Sequence, residues 1–360
     1  MVKKKIIFLC PFPYGVQAGQ RFKFEQHIKA LEKENIQVDF NSFFSIKMWN
    51  IMYKKGNLIK KIYYTSLSYI RRYLLLFKIN NYDIVYLFLW GTPFFDTLFE
   101  KLLIKKNIKL IYDIEDNIFV LKKNKINPIT YYIKSNKKYF ILIKAADSII
   151  TSSKELEKIC ENYSNKKNCY FIPPTIFNFI NIKHKSYIKK DKITIGWTGT
   201  FSSVSYLSIV ESVIEKLKKK YDIIFLVISN QKYENKNFQV RYIEWSKKNK
   251  LNDLIKIDIG IYPVNDEEWS YGKSGLKALQ YMGLGIPTVA SDILTTRDII
   301  KNKHDGILVK NDYESWYFAL ESLIIDNQLR RNIGVNGFNK VSEFYSKHAI
   351  RKKYFKLLLS

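Results

Sequence analysis

Several absences narrow the field before any motif is read. The three cysteines, Cys10, Cys160 and Cys169, are scattered, odd in number and without metal-ligand spacing. They do not form a disulfide framework, no zinc site is suggested, and a reduced cytoplasmic setting fits best. The four histidines, His27, His184, His304 and His348, make no paired motif. No G-x-G-x-x-G run occurs, which removes the dinucleotide fingerprint. Nowhere do the roughly 18 to 20 consecutive apolar residues of a spanning helix appear. Acidic residues are scarce as well: 33 Asp and Glu stand against 60 Lys and Arg, for a net charge of +27. Such an excess implies attraction to something anionic, with nucleic acid, phospholipid head groups and phosphorylated substrates all open at this point. Part of it accompanies a general richness in Lys, Asn, Ile and Tyr.

What is present suits a folded α/β protein. At 360 residues the chain is comfortable for two domains of about 150 each. A hydrophobic content of 47% with 16% aromatics supplies two cores. The opening 1–10 mimics a signal peptide, but its apolar run stops at Pro11 with no small-residue cleavage site, so it reads as a first strand. A loop holding Gly15, Gly19, Gln20 and Arg21 leads into a helix over 22–33, the strand, loop and helix that open a Rossmann-like unit. A second strand follows over 36–44.

The character then changes. Residues 46–81 contain eight Lys or Arg, many aromatics and no Asp or Glu. Trp49, Met52, Tyr53, Ile59, Ile62, Tyr63, Leu67, Ile70, Tyr73 and Leu74 fall near helical spacing between lysines and arginines. This basic amphipathic stretch suits an anionic membrane surface; alternatively it packs its apolar side on the domain and leaves its lysines in water. A buried strand is expected over 82–89. Another, over 108–113, delivers Asp113, Glu115 and Asp116, carboxylates at the strand end where open α/β sheets place ligands. The other reading of these acids is a helix cap. A helix over 131–145, a strand over 147–151, a helix capped by Ser152 or Ser153 and a strand near 169–175 close the first half.

The polar, basic segment 176–191 reads as a linker. At 192 the pattern restarts as strand, Gly-Thr turn and helix, with Gly199, Thr200 and Ser202 placed to meet a diphosphate through backbone N–H groups and hydroxyls. Strands over 222–229 and 240–244 follow, and the backbone of 257–263 could frame a nucleotide base. Next come an acidic loop, a helix and a strand over 266–291. Gly275 frees the backbone there, Lys273 and Lys277 bring positive charge, and the helix start, at Ser274 and Leu276, offers N–H groups to a phosphate. The expected division is 1–175, a linker 176–191, 192–340, and a last helix over 341–360 crossing back to the first domain.

The run Gly272-Lys273-Ser274-Gly275-Leu276-Lys277-Ala278-Leu279-Gln280-Tyr281-Met282 resembles the donor-binding segment of the retaining family 4 glycosyltransferases, group 1. Gly196-Trp197-Thr198-Gly199-Thr200 resembles their G-W-x-G-[ST] element, and Asp113 to Phe119 their D-x-D-D-x-I-F segment. The resemblance extends over nearly the whole chain and implies a GT-B fold, two Rossmann-like α/β/α domains with parallel sheets facing a cleft. It implies a nucleotide-diphosphate sugar as donor, a glycan or lipid-linked acceptor, no tightly bound cofactor and no metal requirement. Asp116 takes the role of a catalytic carboxylate, and Asp113 and the loop at Gly15, Gly19, Gln20 and Arg21 that of acceptor or cleft contacts. Two glutamates common in the family are replaced by Gly272 and Gln280, leaving the Gln280 amide for a ribose hydroxyl. The Arg and Lys that often follow the Gly-Thr turn are missing too, and Lys273 with Lys277 would substitute for them. Peripheral attachment at the cytoplasmic face of an anionic inner membrane fits the basic face. Two rivals stand beside this reading: a GT-B nucleotide-sugar epimerase, and a non-catalytic basic protein binding membrane or nucleic acid. No nucleic-acid module is recognisable, so nucleic acid is not the expected partner.

Overall fold

The computed structural model describes residues 4–94, 97–115, 117–120, 135–164, 166–176, 187 and 191–359. The chain divides into two compact units. Unit 1 comprises Met1–Pro174, Gly272–Ser274 and Arg351–Ser360; unit 2 comprises Thr175–Tyr271 and Gly275–Ile350. Most of the expected linker, including 177–186 and 188–190, lies outside the described residues.

Unit 1 is built on six parallel strands: β1 (Lys4–Cys10), β2 (Ile36–Ser42), β3 (Ile84–Phe88), β4 (Lys109–Ile114), β5 (Ser148–Thr151) and β6 (Cys169–Phe171). Their order is β2-β1-β3-β4-β5-β6, so the winding reverses between β1 and β3. The helices are α1 (Gln26–Lys33), α2 (Ile46–Met52), α3 (Leu58–Leu75), α4 (Leu98–Ile104), α5 (Lys137–Ala145) and α6 (Lys154–Tyr163). β3 is buried along its whole length, as a parallel strand covered on both faces must be. One face packs Ile7, Leu9, Val85, Leu87 and Tyr112 against Leu142 and Leu156. The other stacks Phe8 on Phe24 at 5.3 Å and on Tyr86 at 4.6 Å. Ser153 caps α6, its hydroxyl accepting from the Leu156 N–H at 3.1 Å.

Unit 2 repeats the plan with β7 (Ile193–Gly199), β8 (Ile223–Ser229), β9 (Val240–Glu244), β10 (Ile259–Tyr262), β11 (Thr288–Ser291) and β12 (Ile307–Val309). These strands are all parallel, in the order β12-β11-β10-β7-β8-β9. The helices are α7 (Glu211–Lys220), α8 (Lys250–Leu254), α9 (Leu276–Met282), α10 (Leu294–Ile299), α11 (Tyr313–Ile325), α12 (Asn327–Phe344) and α13 (Lys347–Leu359), the last clustering with unit 1 from Arg351 onward. Trp197 and Trp316, both fully buried, anchor the core with Ile195, Phe225, Val227 and Leu320. Asp312 and Asp326 cap α11 and α12, accepting from the N–H groups of Ser315 and Leu329.

Candidate functional site

In unit 2 the strand order reverses between β7 and β10, and open α/β sheets bind ligands at the carboxyl ends of strands flanking such a reversal. Lys277 is at that point. Its Nζ lies 4.6 Å over the ring of Trp197 from β7 and 5.9 Å from the ring of Tyr262, which ends β10. It donates to Ser203 Oγ at 2.8 Å, tying the ammonium to the turn after β7. Gly199 makes this approach possible, because a Cβ there would come within 2.2 Å of the Trp197 ring and 2.8 Å of Lys277 Nζ. The exposed hydroxyls of Thr200 and Ser202 stand 2.9 Å apart on the same turn. A cation held over an indole face beside two hydroxyls suits an anion bearing several oxygens.

The helix that carries Lys277 is set by its first residues. Gly275 precedes α9 at φ +63°, and a Cβ on it would also lie 2.3 Å from Ile299 Cδ1, so both the conformation and the space demand glycine. α9 has seven residues. Leu276 is half-buried at its start, and Gln280, buried, follows Lys277 by one turn on the same side. Tyr281 turns to the sheet, where its hydroxyl accepts from the Thr198 N–H at 2.7 Å. Burial drives that phenol well above its ordinary range, so it remains protonated. The loop after β10 is clamped from neighbouring strands: Ser291 Oγ accepts from the Val264 N–H at 2.9 Å, and Asn311 Nδ2 donates to the Val264 carbonyl at 2.8 Å.

One expectation for this region changes. The turn amides were expected to face a diphosphate, yet Thr200 N–H goes to Ser203 Oγ at 3.3 Å, Phe201 N–H to Asn230 Oδ1 at 2.9 Å and Ser203 N–H to the Thr200 carbonyl at 2.9 Å. These are the internal hydrogen bonds of a closed turn, in which neighbouring side chains and carbonyls take up the backbone donors. The turn therefore presents hydroxyls and a lysine. Lys273 and Ser274, in the short stretch before α9, are both half-buried.

In unit 1 the expected cleft residues mostly hold the protein together. Gln20 is fully buried; its amide donates to the Phe12 carbonyl at 2.9 Å and to Glu25 Oε1 at 3.0 Å, and its carbonyl accepts from the Phe12 N–H. The other Glu25 oxygen accepts from the Gly15 N–H at 2.9 Å, closing the loop. Gly19 lies against the Glu115 carboxylate. Arg21 opens a π-helical turn (Arg21–Glu25), half-buried with its guanidinium 5.5 Å from the Phe22 ring. Burial lowers its pKa. Asp113 is not a cleft residue: it is fully buried, paired with the equally buried Lys23 and accepting from Tyr86. Desolvation pushes its carboxyl above the usual range, against the pull of Lys23, Tyr86 and Tyr354. Asp116 lies outside the described residues.

Sequence reasoning missed Ser203, which ties Lys277 to the turn, and Asn230, Ser291 and Asn311, which support the site from the ends of β8, β11 and β12. Trp197 was in view only as part of the Gly-Trp-x-Gly element. Lys23 carried no signal at all among 60 basic residues. Among the described residues no group of three or more His, Cys, Asp or Glu is arranged to hold a metal.

Residues 178–340, which include this turn and helix, match the family model "Glycosyl transferases group 1". Solved structures match over the whole length. The sucrose-phosphate synthase of Thermosynechococcus elongatus superposes with a TM-score of 0.70 at 13% identity, over 99% of this chain and 98% of that one. Anabaena Alr3699/HepE in complex with UDP and glucose gives 0.66 at 14% identity, over 99% of this chain and all of that one. The fold is GT-B. Within that GT-B frame a curated relative, the capsular polysaccharide biosynthesis glycosyltransferase CapM of Staphylococcus aureus, is 24% identical over 173 residues. That match spans 44% of this chain and 44% of CapM, less than half the length of the relative.

Proposed function

We propose that the chain is a nucleotide-sugar-dependent, retaining glycosyltransferase that acts on a lipid-linked or polysaccharide acceptor in cell-envelope glycan synthesis, lipopolysaccharide or capsule. The observation that carries the reading is Lys277 over Trp197 at the β7/β10 reversal, inside the segment that matches group 1 glycosyl transferases. In this reading the Lys277 ammonium faces the donor diphosphate, and the Thr200 and Ser202 hydroxyls donate to its oxygens. Charge developing on the leaving diphosphate is then met by donors already in place. The Gln280 amide hydrogen-bonds a ribose hydroxyl. Lys273, Ser274, Gly275 and Leu276 remain assigned to donor contacts, and Gly15, Gly19 and Arg21 to the acceptor side.

The reaction breaks the bond between the anomeric carbon and the phosphate oxygen. It forms a bond from that carbon to the acceptor oxygen on the same face. The acceptor proton passes to the departing diphosphate, so no enzyme nucleophile is needed. Asp116 is assigned to orient the acceptor hydroxyl, and Asp116→Asn should then lower kcat far more than donor affinity. Normal turnover in that variant would remove the assignment. Relatives support the reading in kind: HepE was crystallised with UDP and glucose, and CapM is described as acting in capsular polysaccharide biosynthesis.

The test incubates purified full-length protein with a panel of radiolabelled nucleotide sugars and membrane extract. The expected result is transfer of label to a glycan or lipid fraction, with the anomeric configuration of the donor kept in the product. Interconversion of a nucleotide sugar without any acceptor would instead establish the epimerase. Failure to bind any nucleotide diphosphate, together with steeply salt-dependent binding to random DNA, would favour a non-catalytic basic protein.

A further inference from the structure

Helix α3 leaves a long apolar stripe in solvent, whereas an ordinary amphipathic helix buries the one it has. Its inward side carries Ser68 and Arg72, each 1% exposed, with Tyr64, Tyr69, Tyr73 and Leu75 half-buried against the core. Arg72 is held by the carbonyl oxygens of Cys10 and Asn41, each 3.2 Å from Nη2, with the Phe43 ring 5.7 Å from its guanidinium. Its outward side carries Ile59, 84% exposed, then Ile62, Tyr63, Leu67, Ile70 and Leu74, with Phe77 just past its end also 84% exposed. At about 100° per residue, positions 59, 63, 70, 74 and 77 fall on one stripe. Lys60, Arg71 and Lys78 fall along its edge. A contiguous exposed apolar patch of this kind marks an interaction surface.

Charge selects the occupant. From 40 to 82 the sequence has eight basic residues and no acidic one. A second copy of the chain on a two-fold axis would set this basic strip against itself, an unfavourable pairing of like charges. None of the described helices is long and apolar enough to cross a membrane, so a spanning role does not apply. An apolar stripe edged by lysines and lying along the surface is the pattern of an interfacial helix, whose apolar side enters the boundary between head groups and acyl chains. We propose that the outer face of α3 docks unit 1 on an anionic lipid bilayer. Met48 and Met52 of α2 and Tyr64 and Tyr69 of α3 pack with Phe43 and Trp90, just past the carboxyl ends of β2 and β3. Docking through α3 therefore holds that end of the unit 1 sheet close to the lipid. The contact is independent of the transfer reaction and is read without it.

The experiment is co-sedimentation of the full-length protein with phosphatidylcholine vesicles, with and without phosphatidylglycerol. Ile59→Asp with Ile70→Asp changes only exposed positions, and a circular-dichroism melt checks that the fold is kept. The wild type should partition into the anionic vesicles and be released by salt. The Ile pair should lower partitioning on the order of tenfold. Changing Lys60 and Lys78 together to Gln should lower it on the order of thirtyfold, at about 1 kcal/mol for each charge. Equal binding by the folded variants, or no preference of the wild type for anionic lipid, would overturn the proposal. So would a stable dimer in solution that the Ile pair dissociates, which would make this face a contact between copies.

Discussion

The two units share one plan, six parallel strands with a reversal of winding, and use it in opposite ways. At the unit 1 reversal the polar groups satisfy one another: Gln20 with Glu25, and Lys23 with Asp113 and Tyr86, all buried. At the unit 2 reversal the polar groups reach the surface: half-buried Lys277 lies over Trp197, with exposed Thr200 and Ser202 beside it. Two parallel sheets with different strand orders thus end their reversals differently, one internally neutralised and the other charged and partly solvated. Buried charge favours pairing because desolvation is costly, while a partly solvated ammonium can wait for an anion.

That contrast can be broken experimentally. Asp113→Ala leaves Lys23 buried without its counter-charge and should lower unfolding free energy by about 3–5 kcal/mol, measured by chemical denaturation of the full chain. A variant of normal stability that has lost turnover would put Asp113 among the reacting groups after all. Lys277→Ala should do the reverse, leaving the melting temperature within a few degrees while kcat/KM falls on the order of a hundredfold. If stability falls and donor affinity does not, the ammonium is a structural clip for the turn.

Smaller changes sharpen the comparison. Gly199→Ala forces a Cβ against the Trp197 ring and should cost about 1–3 kcal/mol of stability, while also weakening nucleotide diphosphate binding in calorimetry by shifting Lys277. Unchanged binding would show that Lys277 holds its place without the glycine. Replacing Thr200 by Val together with Ser202 by Ala removes two neutral hydroxyls and should weaken donor binding only several-fold. A loss as large as that from Lys277→Ala would move the weight of recognition from the lysine to the turn.

Much of the architecture is legible in the chain itself. The apolar runs at 6–10 and 193–197, each followed by a glycine-bearing turn and a helix, announce two α/β units because strand and helix periodicity are local properties. The Ser153 cap is equally local, a hydroxyl three residues from the N–H it serves. Gly275 is legible for the same reason: it stands where a helix must begin. Asp113 and Gln20 were not. Both looked like loop or strand-end polar residues suited to a ligand; Asp113 is paired by Lys23 and Tyr86 from far along the chain, and Gln20 is buried with Phe12 and Glu25, near in sequence but brought to it only by the folding back of the loop. For 46–81 the pattern predicted amphipathic helix without saying which side faces in, since Arg72 could be recognised as buried only once β1 and β2 supplied carbonyl oxygens for it.

The amino-acid sequence by itself determined two Rossmann-like halves, a basic strip without acids, and a Gly-Lys helix start placed like a donor segment. Those features rest on residues a few positions apart, whose geometry the backbone settles locally. Only the tertiary structure decided which charges are neutralised inside and which reach the surface. Burial and pairing depend on side chains that folding brings together from far along the chain, and no local pattern encodes that meeting.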